Sequence, residues 1–157
     1  MSPAGEEGSL LQEIVRGVYI LTTRKDRTIN GMTITWVSRV TKDPVYLAAA
    51  VYHENYSNEI MKESDFFTLH ILREGQEELA RNFGTRSGKK CDKFADIAYL
   101  KRNNRPPVLK TCLGYFDCKK VFSKELTDHT LFVGELVEEK RLMDGDPLIF
   151  QYEDYYT

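Results

Sequence analysis

Thr28-Ile29-Asn30-Gly31-Met32-Thr33-Ile34-Thr35-Trp36 is the stretch on which the reading of the fold turns. Side chains alternate across an extended chain, so Met32, Ile34 and Trp36 share one face and Gly31, Thr33 and Thr35 the other. Such a segment reads as a strand with one face for a core. Upstream, Val18-Tyr19-Ile20-Leu21-Thr22-Thr23 has the β-branched and aromatic content of a strand, and Lys25-Asp26-Arg27 is a polar turn. Thr28–Trp36 is then the returning strand.

Working outward, a third strand follows Pro44, over Val45–Tyr52. It carries Ala48-Ala49-Ala50, small side chains that let another group approach the backbone closely. Ser9–Val15 suits a short helix with Leu10, Leu11, Ile14 and Val15 on one side. Ser57–Glu63 starts with good N-cap residues, and Glu74–Phe83 carries Leu79, Ala80 and Phe83 at helical spacing before Gly84. Asp65–Leu72 reads as a buried strand between those helices. Loops are expected at Thr85–Lys90 and Arg102–Pro107. Val108–Phe122, with Gly114 as a bulge or close-approach point, and Thr130–Leu142 read as long strands; Leu148–Tyr155 reads as the last one. The fold class is mainly β (α+β): a six- to seven-stranded antiparallel sheet with two or three flanking helices. Strands in that number close into a barrel, which removes exposed edges.

The chain has 157 residues and a formal charge of −2. That is one domain over 1–157, with no general attraction to nucleic acid. No apolar run is long enough for a membrane span, and the first fifteen residues have no signal-peptide core, so a cytoplasmic location is expected. Cys91, Cys112 and Cys118 form no C-x-x-C pair. No metal site is expected, and the thiols read as buried or half-buried.

Four segments could carry chemistry. Asn30–Trp36 offers backbone groups and short hydroxyls to the edge of a flat heterocycle; equally, it suits a plain barrel strand with outward threonines. Phe83-Gly84-Thr85-Arg86-Ser87-Gly88-Lys89-Lys90 places a hydroxyl, flexible N–H groups and cations together, as a phosphate nest or as a solvated basic loop; it lacks P-loop spacing. In Tyr56-Ser57-Asn58, Ser57 either caps a helix or faces an anion. In Asp128-His129, the imidazole either meets a nicotinamide or bonds locally. His53 is a weaker candidate, and His70 reads as a core histidine. No Ser/His/Asp order or paired carboxylates suggest a hydrolase.

Taken in order, Gly17–Thr23, Asn30–Trp36, Val45–Val51, Leu79–Phe83 with Ser87-Gly88 and Asp92-Lys93-Phe94, and Asp128–Leu136 with Asp146-Pro147-Leu148 resemble the flavin reductase-like, FMN-binding split-barrel proteins along nearly the whole chain. Trp36 makes the chain similar to the ferric-reductase and flavoredoxin branch, and Thr127 stands where a glycine often precedes the Asp-His pair. The resemblance implies a split β-barrel, a homodimer, and FMN near the subunit interface. Asn30, Gly31, Met32, Thr33, Ile34, Thr35 and Trp36 would hold the isoalloxazine and ribityl chain, largely through backbone groups. Ala49, Ala50, Val51 and Ser57 would line the cofactor. The segment opened by Phe83 would bring Ser87, Gly88, Lys89 and Lys90 to the phosphate. His129 would lie near the flavin's reactive face as a nicotinamide contact, the one catalytic candidate. The implied activity carries electrons from NAD(P)H through FMN to free flavin, ferric iron or a small redox protein such as rubredoxin, the last a separate chain or a further domain. The alternatives are an FMN-binding electron carrier without a nucleotide site, or a non-catalytic flavin-binding module. Oxidation of a pyridoxine phosphate is disfavoured, because no second phosphate cluster is evident.

Overall fold

A computed structural model describes residues 8–155. Strands β1 (Tyr19–Lys25) and β2 (Thr28–Ile34) form a hairpin whose turn places Asp26 at a φ of 52°. Short β3 (Val37–Arg39) and β4 (Tyr46–Tyr52) come next, then helix α1 (Tyr56–Lys62), β5 (Phe66–Ile71) and helix α2 (Glu77–Gly84). A small pair, β6 (Tyr99–Leu100) and β7 (Val108–Leu109), precedes the long hairpin of β8 (Gly114–Glu125) and β9 (His129–Arg141). The main sheet is antiparallel throughout, in the order β2-β1-β5-β8-β9-β4-β3.

That order has a geometric consequence. Its two edge strands, β2 and β3, are neighbours in sequence, separated only by Thr35 and Trp36. Consecutive Cα atoms are about 3.8 Å apart, so Ile34 and Val37 lie within about 11 Å of each other. The sheet must therefore curl until its edges nearly meet, with the split between β2 and β3. This is the split β-barrel expected from the sequence.

Two cores result. Leu21, Met32, Ile34, Leu47, Ala49, Val51, Phe67, Leu69, Cys118 and Phe132 fill the barrel, and Met61 of α1 packs with them. Outside, Val18, Ile20, Leu72, Ala80, Phe83, Phe94, Leu109 and Leu148 form a second core under α2. A polar strut ties the 102–109 segment to the barrel wall. Asp117, fully buried, accepts from Arg102 at 2.6 and 2.8 Å and from the Thr68 hydroxyl at 2.6 Å. His70 bonds Ile20 O through Nδ1 and accepts the Leu109 N–H at Nε2, both at 3.0 Å, so it is the core histidine expected.

Several boundaries differ from expectation. β2 stops at Ile34, so Trp36 leaves the face it would share with Met32 and Ile34 and stands exposed. Val108–Phe122 is broken at 110–113, where the chain turns from β7 into β8. Gly114 is a close approach as expected, since a Cβ there would lie 2.5 Å from the Lys140 carbonyl. Leu148–Tyr155 is not a strand: its main chain bonds Val18 and Leu72, makes one bridge from Ile149 to Gly17, and ends in a 3-10 turn over Tyr152–Asp154. Ser9–Val15 forms only a 3-10 turn over Leu10–Glu13, with Leu10, Leu11, Ile14 and Val15 all exposed.

Candidate functional site

Helix α1 joins the two sides of the split. Asn55, rather than Ser57, is its N-cap, accepting the Ser57 N–H at 2.9 Å. That frees the buried Ser57 hydroxyl to accept from Asn30 Nδ2 of β2 at 3.0 Å. Asn58 donates to Val51 O of β4 and to the Thr130 hydroxyl of β9. One turn of helix therefore fixes β2 on one side against β4 and β9 on the other.

The basic loop docks at the same point. The Cα of Gly88 lies so close to Asn30 that a Cβ would come within 2.2 Å of Oδ1. Asn30, Ser57 and Gly88, three residues singled out from separate parts of the sequence, thus converge. The loop is internally tied: the Lys90 and Cys91 N–H groups donate to Ser87 O, and that of Lys89 to Ser87 Oγ. Lys89 pairs with Glu59 of α1 at 2.9 Å, over the Tyr56 ring. Arg86 bonds Asn82, and Lys90 is exposed. Four cations (Arg86, Lys89, Lys90 and Lys93) fall within eight residues, against Asp92 and the nearby Glu59.

At the other end of β2 the groups are aromatic. Trp36 is 46% exposed and its ring centroid lies 4.8 Å from that of His129, which also meets Tyr52 at 5.5 Å. His129 Nδ1 bonds the Asp128 carboxylate at 2.8 Å, which holds that carboxyl below its ordinary range. Ala50 N–H donates to Trp36 O, so β4 leads this cluster to the split. Asn30 and Trp36 are six residues apart, at most about 20 Å in an extended chain.

The remaining expected positions divide by face. Met32, Ile34, Ala49 and Val51 point into the barrel, while Ala50 is half-buried on the outer face. Gly31 and Thr33 share a face, while Thr35 lies beyond the end of β2; α2 covers that face, since a Cβ on Gly31 would strike the Phe83 ring and the Thr33 hydroxyl donates to Ala80 O at 2.5 Å. Thr35 accepts from Arg16. Phe83 is core. What β2 still offers along its open side is backbone, because an edge strand leaves one row of N–H and C=O groups without a strand partner. Residues missed from sequence are Lys93, whose ammonium reaches Gly31 O, Tyr52 beside His129, and Arg16 against Thr35 and Phe150. Tyr52 could have been found from strand alternation with Ala50; Lys93 lies in the Asp92-Lys93-Phe94 segment that carries the resemblance, but its burial could not be read, because nothing in a charged loop marks one lysine as buried.

Residues 11–157 match the family model described as a flavin reductase like domain, and the chain belongs to that family. A ferric-chelate reductase (NAD(P)H) of Archaeoglobus fulgidus is 30% identical over 146 residues, covering 92% of this chain and 85% of the relative. A high molecular weight rubredoxin of Moorella thermoacetica is 28% identical over 144 residues, covering 90% of this chain. The chain spans 63% of that relative's length. The crystal structure of flavoredoxin from Methanosarcina acetivorans superposes with a TM-score of 0.79 at 25% identity, covering 89% of this chain and 82% of the other. No helix among the described residues is long and apolar enough to cross a membrane.

Proposed function

We propose that this protein is an FMN-dependent oxidoreductase that takes electrons from NAD(P)H and delivers them to free flavin, ferric iron or a small redox protein. The observation that carries the reading is the convergence of Asn30, Ser57 and Gly88 beside a four-cation segment, at the mouth of a split barrel of the flavin reductase-like family.

The residues present fit a flavin mononucleotide. The segment 86–93 is cationic enough for a phosphate. Asn30 and Ser57 give a buried polar pair beside it, suited to ribityl hydroxyls. The open edge of β2 can meet the polar edge of a heterocycle, and Trp36, Tyr52 and His129 give a flat, half-exposed aromatic surface. Bound FMN supplies the redox chemistry, accepting a hydride from NAD(P)H and passing electrons on.

The chain's own part is to bind and orient. Gly88 and Asn30 fix the loop against β2, and α1 holds the two sides of the split at constant separation. His129, oriented by Asp128, offers a ring edge to the nicotinamide. No protein acid or base is required for hydride transfer, which agrees with a site made of amides, hydroxyls, cations and rings.

A second copy of the chain would complete the site. Trp36, Val40, Tyr52, Phe122 and Leu126 are between 41% and 52% exposed, and the strands that carry or adjoin them, β3, β4, β8 and β9, are contiguous in the sheet. An apolar surface beside a binding site is what a subunit contact covers. The sequence similarity to a rubredoxin-named relative supports a small redox protein as one acceptor.

The test is steady-state oxidation of NADH and of NADPH by the purified protein, with FMN, with ferric chelate, and with each omitted. Flavin-dependent oxidation above the rate of free FMN is expected. FMN titration should also quench Trp36, the single tryptophan. Binding without turnover would convert the reading to that of an electron carrier.

A further inference from the structure

Lys93 is only 4% exposed. Its ammonium donates to Gly31 O at 2.9 Å and to Phe83 O at 3.0 Å. An ammonium has three donors and a full charge, so two neutral carbonyls leave one N–H and the whole charge unanswered. Among the described residues, no carboxylate lies within ion-pair distance of it. Buried ammonium groups are ordinarily paired, because desolvating an isolated charge is costly. Here burial pushes the Lys93 pKa down to about 8; negative charge on the Cys91 sulfur would act in the opposite sense, and the Arg86 guanidinium acts in the same one. Phe94 packs against Phe83 beside it and brings no charge.

The place of this charge is specific. Lys93 closes the 86–93 segment, and its main chain is fixed by Asn82, which donates to Lys93 O at 2.9 Å, and by Asp92, which accepts the Phe94 N–H. Through Gly31 it holds β2 one residue from Asn30, against which Gly88 packs; through Phe83 it holds the end of α2, from which the loop departs. The other cations are differently placed. Lys89 is offset by Glu59, and Lys90 and Arg86 are exposed, where solvent and salt screen them. A methionine would fill the same volume without the penalty.

We infer that Lys93 is a positioning residue of the phosphate subsite: it locks β2 and the end of α2 beneath the Ser87–Cys91 loop and supplies the uncancelled buried charge that favours a flavin carrying a phosphate over the same flavin without one. The inference rests on the FMN reading. It deepens that reading by naming the group that discriminates FMN from riboflavin.

The experiment compares affinities for FMN and riboflavin, read from flavin fluorescence, between pH 7 and 9.5. A phosphate with a second pKa near 6 is already dianionic over that range, so its charge is constant. The wild-type preference for FMN should exceed tenfold at pH 7 and decline as the pH rises through about 8, where Lys93 loses its proton in the free protein. Cys91→Ser should keep that decline. Lys93→Arg should keep the preference and lose the decline, because a guanidinium stays charged. Lys93→Met should lose most of the preference for FMN and show no decline with pH. If circular dichroism shows that the Lys93 variants do not fold, the wild-type and Cys91→Ser pH series decides. A flat preference in the wild type, or full preference in Lys93→Met, overturns the inference. Equal wild-type binding of both flavins overturns it while leaving flavin binding intact; binding of neither removes the FMN reading and the inference with it.

Discussion

Gly88→Ala probes the site with one methyl group. The added Cβ would lie 2.2 Å from Asn30 Oδ1 and 2.8 Å from its Cγ, against an ordinary contact starting near 3.4 Å. Loop or amide must therefore yield by more than an ångström. The end of an asparagine can usually swing aside at little cost, but Asn30 is 2% exposed and its Nδ2 is committed to Ser57 Oγ. Swinging it breaks that bond, worth about 1 kcal/mol net, and strands a buried amide at about 1–3 kcal/mol. A domain of this size loses about 2–4 °C in Tm per kcal/mol. The two costs together come to about 2–4 kcal/mol, so the expected loss is roughly 4–16 °C by thermal denaturation of the free protein. If the loop moves instead, stability is largely kept and FMN affinity falls tenfold or more, about 1.4 kcal/mol, in a fluorescence titration. A double-mutant cycle separates this clash from general damage. In an Asn30→Ala background the obstacle is gone, so Gly88→Ala should cost less than half as much in Tm and affinity together. Equal costs in both backgrounds would refute the argument.

Three further outcomes follow from the buried polar groups. Arg102→Leu leaves the fully buried Asp117 with only Thr68 and the more distant Arg105, and should destabilise by about 3–5 kcal/mol in urea denaturation, as for other broken buried pairs. Burial alone would raise the Asp117 pKa, but the bonds from Arg102 and Thr68 outweigh it and the carboxyl titrates below its ordinary range. Its stabilising share is thus complete above an unfolded-state pKa near 3.9 and lost as the pH falls through the lower folded value; Arg102→Leu should remove that share. Burial lowers His70 to about 4, so the folded protein refuses a proton that the unfolded chain takes up near 6.5. Stability should fall as the pH drops from about 6.5 to 4, with His70→Gln flattening that part of the Tm–pH curve.

The barrel was legible because alternation is a local property. Met32, Ile34, Leu47, Ala49 and Val51 declare their inward face by period two, and the β1–β2 hairpin follows from one polar turn. The split is not carried by alternation and was expected only through the family resemblance: it arises because β2 and β3 end on opposite edges of a seven-stranded sheet, a fact of global pairing order. The Leu148–Tyr155 error has a related cause. Its residues suit a strand, but the segment completes the outer core through Leu148 and Phe150 instead of joining a sheet edge. At the site, Asn30, Ser57 and Gly88 were each identifiable by type, yet the helix that brings them together is capped by Asn55, two residues from where the capping pattern pointed. Gly31 and Thr33 were expected to offer backbone groups and a short hydroxyl to a ligand. They are packed under α2 because the outer face of β2, like its inner face, has a core to fill.

The most direct test of the account is anaerobic reduction of the flavin-loaded protein. The protein is mixed with FMN, freed of unbound flavin by rapid gel filtration, and titrated with NADH or NADPH while the visible flavin absorption is followed. One FMN per chain should elute with the protein, and its absorption should bleach with one equivalent of the preferred nucleotide. Protein that emerges colourless from saturating FMN would contradict the binding site, and bound flavin that stays oxidised with both nucleotides would contradict the activity.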